Sequence, residues 1–127
     1  MSGKVLLAVQ DPSLQNVYTK LLRRAWHITI ANSYDEICQQ LQTQHFSVLV
    51  CDLALDDGEI RHHLPQIQSF LNAQQTGLVL ICPFSDPCDV CEVCSGLNAS
   101  CTTTRPVALR ELATLVGQVA TQGAHLT

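Results

Sequence analysis

Short apolar runs alternate with helical stripes along the whole of this chain. Val5 to Val9 is unbroken apolar, the pattern of a strand covered on both faces. Asp11-Pro12-Ser13 interrupts it, and Asp11 or Ser13 can cap a helix that carries Leu14, Val17, Tyr18, Leu21 and Leu22 at helical spacing. His27 to Ala31 (HITIA) is rich in β-branched residues and predicts a second strand. Ser33 opens a capping box with Glu36 three residues on, ahead of an apolar stripe of Ile37, Cys38 and Leu41. Phe46 to Asp52 (FSVLVCD) predicts a third strand that stops on a carboxylate.

Beyond it, LALDDGEIRHH reads as a polar turn region around Gly58. Pro65 belongs in the first turn of a third helix, since a mid-helix proline costs about 3 kcal/mol. Gly77 to Cys82 (GLVLIC) predicts a fourth strand, and Pro83 forbids further central pairing. Asp86-Pro87 starts a fourth helix as cap and first turn. Ser100 to Thr103 is a short polar fifth strand. Pro106 leads into a fifth helix with Val107, Leu109, Leu112, Leu115, Val116 and Val119 on its core face. The tail from Thr121 reads as frayed. Five strands alternating with five helices predict an α/β, flavodoxin-like (βα)5 three-layer sandwich, with a parallel sheet in order 2-1-3-4-5. One domain spans residues 1–127, with an ordered core over about 4–120. The ligand crevice of this fold lies at the C-terminal ends of strands one and three, which places Val9, Gln10, Asp11 and Asp52 at one corner.

Composition narrows the function classes. Of the 127 residues, 46% are apolar and 14% charged, so the chain is globular rather than disordered. A net charge of −4, with Arg23-Arg24 only a pair at a helix end, argues against nucleic-acid binding through this domain and against an anionic membrane surface. No apolar run approaches the roughly 20 residues of a membrane span. The apolar stretch near the N-terminus is too short for a secretory signal, so the cytoplasm is the default location.

The seven cysteines divide into two sets. Cys38, Cys51 and Cys82 lie in apolar segments and read as small buried hydrophobes. Cys88, Cys91 and Cys94 form a C-x2-C-x2-C run, with Cys101 beyond. Three readings stand for them: helix cysteines packed partly into the core, a redox-sensitive thiol pair, or a metal site. On a helix the first and third thiols lie about 9 Å apart along the axis, so the usual tight knuckle is missing. His62-His63 beside Asp56, Asp57 and Glu59 suit either a solvated loop or an oxygen–nitrogen metal site, and His45 reads as surface. No nucleophile elbow, phosphate-binding loop or dinucleotide fingerprint is present.

Four segments together carry a family resemblance. KVLLAVQDP, SVLVCDLAL, the strand ending at Cys82, and NASCTTTRP resemble, in order and spacing, the receiver (CheY-like) domain of response regulators. The resemblance covers Lys4 to about Ala120. It implies a signal-transduction module of a two-component phosphorelay with Asp52 at the phosphoacceptor position. The family's acidic pair falls on Val9 and Gln10, its Thr or Ser on Cys82, its Lys on Arg105, its commonly cis proline on Pro106, and its aromatic switch on Thr102. It also implies a histidine kinase or an effector domain as partner, homodimers through helix four, strand five and helix five, and no enzymatic activity beyond self-phosphorylation at Asp52.

The departures from the family pattern bear on its chemistry. Phosphoryl transfer to a carboxylate needs Mg²⁺ held by several oxygens. With Val9 apolar and Gln10 a neutral amide, Asp52 alone is expected to hold Mg²⁺ only weakly, and no other cofactor is implied. Cys82 loses a hydroxyl donor, since a thiol donates poorly. Arg105 keeps a positive charge in a larger planar fork that can pair directly with Asp52. Asp11 stands one residue from the missing pair. It is either a helix cap or, through a bulge or register shift, a metal ligand together with Asp52. The resemblance thus predicts an atypical receiver that acts by protein–protein contact. The alternatives are a conventional one using Asp11, or a cysteine-based redox or metal sensor.

Overall fold

A computed structural model describes residues 3–52, 54–82, 101–104 and 109–125, with the backbone alone at 57, 58, 61, 82, 101–104, 109, 111 and 121–125. The elements are β1 (Lys4–Ala8), α1 (Pro12–Leu22), β2 (His27–Ala31), α2 (Tyr34–Thr43), β3 (Val48–Asp52), a 3-10 turn (Leu55–Gly58), α3 (Ile60–Gln74), β4 (Gly77–Cys82), β5 (Cys101–Thr104) and α4 (Leu109–His125). The five strands form one sheet in the order β2-β1-β3-β4-β5, and every pairing is parallel. This is the predicted flavodoxin-like arrangement. The helix predicted after Asp86-Pro87 lies outside the described residues.

Alternation along the strands sorts the core into two layers. Leu6, Ala8, Leu49, Cys51, Leu78 and Leu80 face one way, with Ile37 and Leu41 of α2 and Leu64, Ile67 and Leu71 of α3 in the same cluster. Val5, Leu7, Val9, Val48, Val50, Val79 and Ile81 face the other way, with Tyr18 and Leu22 of α1 and Leu112, Val116 and Val119 of α4. β1 and β3 are covered on both faces, which is why their sequences are continuously apolar. β2 lies at an edge, and its Ile28, Thr29 and Ile30 are only half-buried.

The helix starts follow from local chemistry. Asp11 is the N-cap of α1: its carboxylate accepts from the backbone N–H of Ser13 (2.8 Å) and Leu14 (3.4 Å), with Pro12 at the first helical position. Ser33 caps α2 by accepting from Glu36 N–H at 3.3 Å. The return arm of the box reaches Asn32 N–H (3.1 Å), one residue earlier than the standard motif.

Three expectations need correction. Pro65 lies inside α3, in its second turn, because the helix begins at Ile60. Ile60, Leu64, Ile67 and Leu71 form a fully buried stripe, and that burial outweighs the backbone bond that a proline forfeits. The predicted polar turn is correspondingly shorter, with Leu55 and Ile60 in the core. Cys38 is half-buried and Val17 is 41% exposed, so α1 buries Tyr18 and Leu22 while Leu14 and Leu21 only flank the core. The backbone of α4 is described through His125. No helix among the described residues is long and apolar enough to cross a membrane.

Candidate functional site

Parallel pairing brings the C-terminal ends of β1 and β3 together: Ala8 pairs with Cys51, and Val9 and Asp52 follow them. Val9 and Asp52 keep the same alternation, Val5-Leu7-Val9 and Val48-Val50-Asp52, so both belong to the sheet face that packs on α1 and α4. On the other side of Asp52, its partner on β4 is Ile81. Asp52 is 1% exposed and is flanked along the sheet by two apolar positions. Its Oδ1 accepts from Ala54 N–H at 2.8 Å, which turns the chain sharply out of β3.

Above this strand end lies an open cleft of about 430 Å³ lined by Gln10, Asp11, Pro12, Ala54 and Leu55. Val9 does not line it; its side chain is fully buried in the core. The backbone oxygen of Val9 is taken as well, by Gln15 Nε2 at 2.6 Å, and the same amide reaches Asn32 Oδ1 at 2.5 Å.

The carboxylates around the cleft are engaged at backbone amides. Asp11 caps α1, as above. Asp56 accepts through Oδ2 from Tyr34 N–H at 3.0 Å, at the N-terminus of α2, where a helix favours negative charge. The Asp56 N–H in turn donates to Gln10 Oε1 at 3.2 Å. A backbone N–H can only donate, so the Gln10 amide must present its oxygen to the loop. Mg²⁺ needs several oxygens in octahedral array. Of the described carboxylates, Asp52 and Asp11 each use Oδ1 and Asp56 uses Oδ2 to accept from backbone N–H groups, and the neutral Gln10 amide has its oxygen occupied. As they stand these residues fit the ion poorly.

Cys51, next to Asp52, is fully buried, and burial first, then the nearby Asp56 carboxylate, pushes its thiol from 9.0 up to about 12. It is a neutral core side chain, not a nucleophile. Tyr34 has its hydroxyl on Gln66 Oε1 at 2.7 Å and its ring stacked on His63, centroids 4.0 Å apart. A hydrogen bond with Cys38 first, then burial, raises the Tyr34 hydroxyl above its usual 10.0. His63 thus packs on an aromatic ring. No group of three or more His, Cys, Asp or Glu among the described residues could hold a metal. His45 is exposed and its Nε2 donates to Gln74 O at 2.8 Å, tying the end of α2 to the end of α3.

β4 ends at Cys82 and β5 carries Thr102, opposite Leu80, but the side chains of both lie outside the described residues, as does that of Cys101. Arg105, Pro106, Cys88, Cys91 and Cys94 lie outside them entirely. Sequence reasoning missed Asp56 as a tether to α2. The contact joins residues 22 apart, and only its turn-forming Asp-Asp-Gly signal was readable.

The cap assignment has a direct test. Asp11→Ala is expected to lower unfolding stability by about 1 kcal/mol, the usual worth of a carboxylate cap, in urea melts with and without Mg²⁺. A stability gain from Mg²⁺ in the wild type that Asp11→Ala abolishes would instead make Asp11 a ligand.

No family model and no curated protein matches the sequence. Solved structures do match it. Adenylate cyclase from Rhodopirellula baltica superposes with a TM-score of 0.87 at 15% identity, over 99% of this chain and 93% of that one. A CheY-like response regulator receiver domain protein from Methanospirillum hungatei gives 0.85 at 13% identity over 100% of both chains. The receiver domain of a sensor histidine kinase from Pseudomonas aeruginosa, with a magnesium ion coordinated in its active-site cleft, gives 0.79 at 15% identity over 95% of this chain and 99% of that one. The chain has the CheY-like receiver fold, carried by a sequence far from that of these neighbours.

Proposed function

We propose that this chain is a signal-transduction receiver module of a two-component phosphorelay, atypical in that it signals by protein–protein contact with little or no Mg²⁺-dependent phosphorylation at Asp52. The observation that carries the reading is the company of Asp52: an apolar, buried Val9 and a neutral Gln10 stand at the end of β1, and the Gln10 oxygen is already bonded to Asp56 N–H. The 127 residues then form one cytoplasmic receiver-like domain without enzymatic activity, at most accepting a phosphoryl group at Asp52. Cys82, Arg105 and Pro106 complete the proposed pocket, and Thr102 holds the switch position. The partner is a histidine kinase or an effector domain. The docking face is the segment before β5, β5 itself and α4, which also serves for homodimers. With a threonine where the family carries an aromatic ring, position 102 offers no large ring to reorient.

A conventional receiver using Asp11 is the second reading; it is disfavoured by the hydrogen bonds that Asp11 makes to Ser13 and Leu14. A cysteine-based sensor rests on Cys88, Cys91, Cys94 and Cys101, and metal analysis of anaerobically purified protein decides it. The main test exposes the protein to acetyl phosphate, and separately to beryllofluoride, with and without Mg²⁺. Mass spectrometry is expected to show little adduct at Asp52. Self-association or partner binding is expected to survive Asp52→Asn and to weaken with Thr102→Glu. A stable Mg²⁺-dependent acyl phosphate, or association lost in Asp52→Asn and unchanged in Thr102→Glu, refutes the proposal.

A further inference from the structure

The turn after β3 is held from two sides by one residue. Asp56 has φ 53°, a left-handed conformation that costs most side chains energy and that aspartate tolerates better than most. Its N–H donates to Gln10 Oε1 (3.2 Å), at the end of β1. Its carboxylate accepts from Tyr34 N–H (3.0 Å), at the start of α2. Tyr34 is itself fixed to α3 through Gln66 and His63. These bonds form one continuous path from the mouth of the sheet through the turn to α2 and α3.

We infer that Gln10 is a positioning residue: its amide oxygen latches the turn at Asp56 into the left-handed conformation, and through Asp56 holds the N-terminus of α2, so that the backbone of the turn Leu55–Gly58 keeps one shape without any bound cation. Geometry and charge make the amide suited to this. An aspartate at position 10 would be one methylene shorter and would set a second negative charge close to the Asp56 carboxylate. A glutamine reaches the N–H while adding no charge. The latch goes beyond the signalling role proposed above, because it rests on these hydrogen bonds and stands whether or not Asp52 accepts phosphate.

Amide hydrogen exchange of the whole chain, followed by NMR, tests it. Gln10→Met keeps the length and removes the acceptor. Exchange at the Asp56 amide is expected to rise by about tenfold, the scale of one lost hydrogen bond, and Tyr34, which Gln10 does not touch, is expected to rise with it. The amides of Val48 to Cys51 should stay as in the wild type. Gln10→Glu restores an oxygen at the same reach and, despite its charge beside Asp56, should return both amides part of the way to wild-type protection, whereas Gln10→Asn, too short, should not. The latch is overturned if Gln10→Met leaves Asp56 unchanged, or if Asp56 accelerates while Tyr34 does not. Should Gln10→Met also loosen β3, the Glu and Asn pair decides: equal exchange in the two overturns the latch, and protection in Glu alone supports it.

Discussion

Val9→Asp is expected to cost this protein about 3–5 kcal/mol of stability at neutral pH. Val9 is fully buried in the cluster that joins β1, β3 and β4 to Tyr18 and Leu22 of α1 and to Leu112, Val116 and Val119 of α4. The substitution removes the burial of an apolar side chain, worth about 1.5–3 kcal/mol, and puts a carboxylate in its place beside buried Asp52. The new carboxyl would have its folded pKa raised above an unfolded value of about 3.9. The deficit should therefore be smallest below about pH 4 and grow as pH rises through the folded value. The same variant, combined with Gln10→Asp, places two adjacent carboxylates at the end of β1. Its melting temperature is expected to climb with Mg²⁺, as binding to the native state alone stabilises it by about 2.7 kcal/mol at a hundred times the dissociation constant. The wild-type melting temperature should not move. A Val9→Asp protein as stable as wild type in metal-free buffer would place position 9 outside the core and overturn the account of the site.

Gly77→Val should be nearly as damaging, and by the opposite physics. Gly77 opens β4 opposite Val48, and α4 crosses it so closely that a Cβ built there collides with Val119 Cγ1 and comes within 3.3 Å of the Val119 backbone oxygen. A methyl group can push the Val119 side chain aside but not the backbone behind it. Gly77→Ala is expected to cost about 1–3 kcal/mol, and the larger Gly77→Val more. Pairing Gly77→Ala with Val119→Ala should recover part of the loss, so the two changes together should cost less than their sum. Strictly additive effects in denaturant melts would mean that the helix does not rest on this glycine.

The strand order was readable because β1, β3 and β4 are short continuous apolar runs separated by helical stripes, and few topologies accommodate that alternation at this length. The caps at Asp11 and Ser33 were readable because a cap is a local event, complete within four residues. Pro65 is not placed by its own residue type: the buried stripe from Ile60 to Leu71 overrides the local penalty that a proline signals. The left-handed turn residue Asp56 is no glycine, and its bonds to Tyr34 and Gln10 are long-range; Gln75, the left-handed C-cap of α3, is closed by local bonds from its own N–H to Asn72 and Leu71. At the site, the burial of Asp52 at the end of β3 follows from the apolar run that leads into it. The bond between Gln10 and Asp56 was not legible, because it joins residues 46 apart. The period of two in Val5-Leu7-Val9 already assigned Val9 to the α1 and α4 face, and this was the one readable signal that separated it from the cleft.

Asp11 has a consequence for how this fold could change over time. Its carboxylate starts α1, and α1 covers Val9 through Tyr18 and Leu22. A mutation that drew Asp11 towards a cation would uncap that helix and loosen the lid over the core. A mutation that replaced Val9 would injure the core directly. Each single step towards a metal-binding corner therefore lowers stability before any ion can repay it, and a protein with the usual margin of about 5–15 kcal/mol has room for few such steps. The corner behaves as a ratchet. Apolar packing and a helix cap already occupy the surroundings of Asp52, and building a cation site there would require several changes at once.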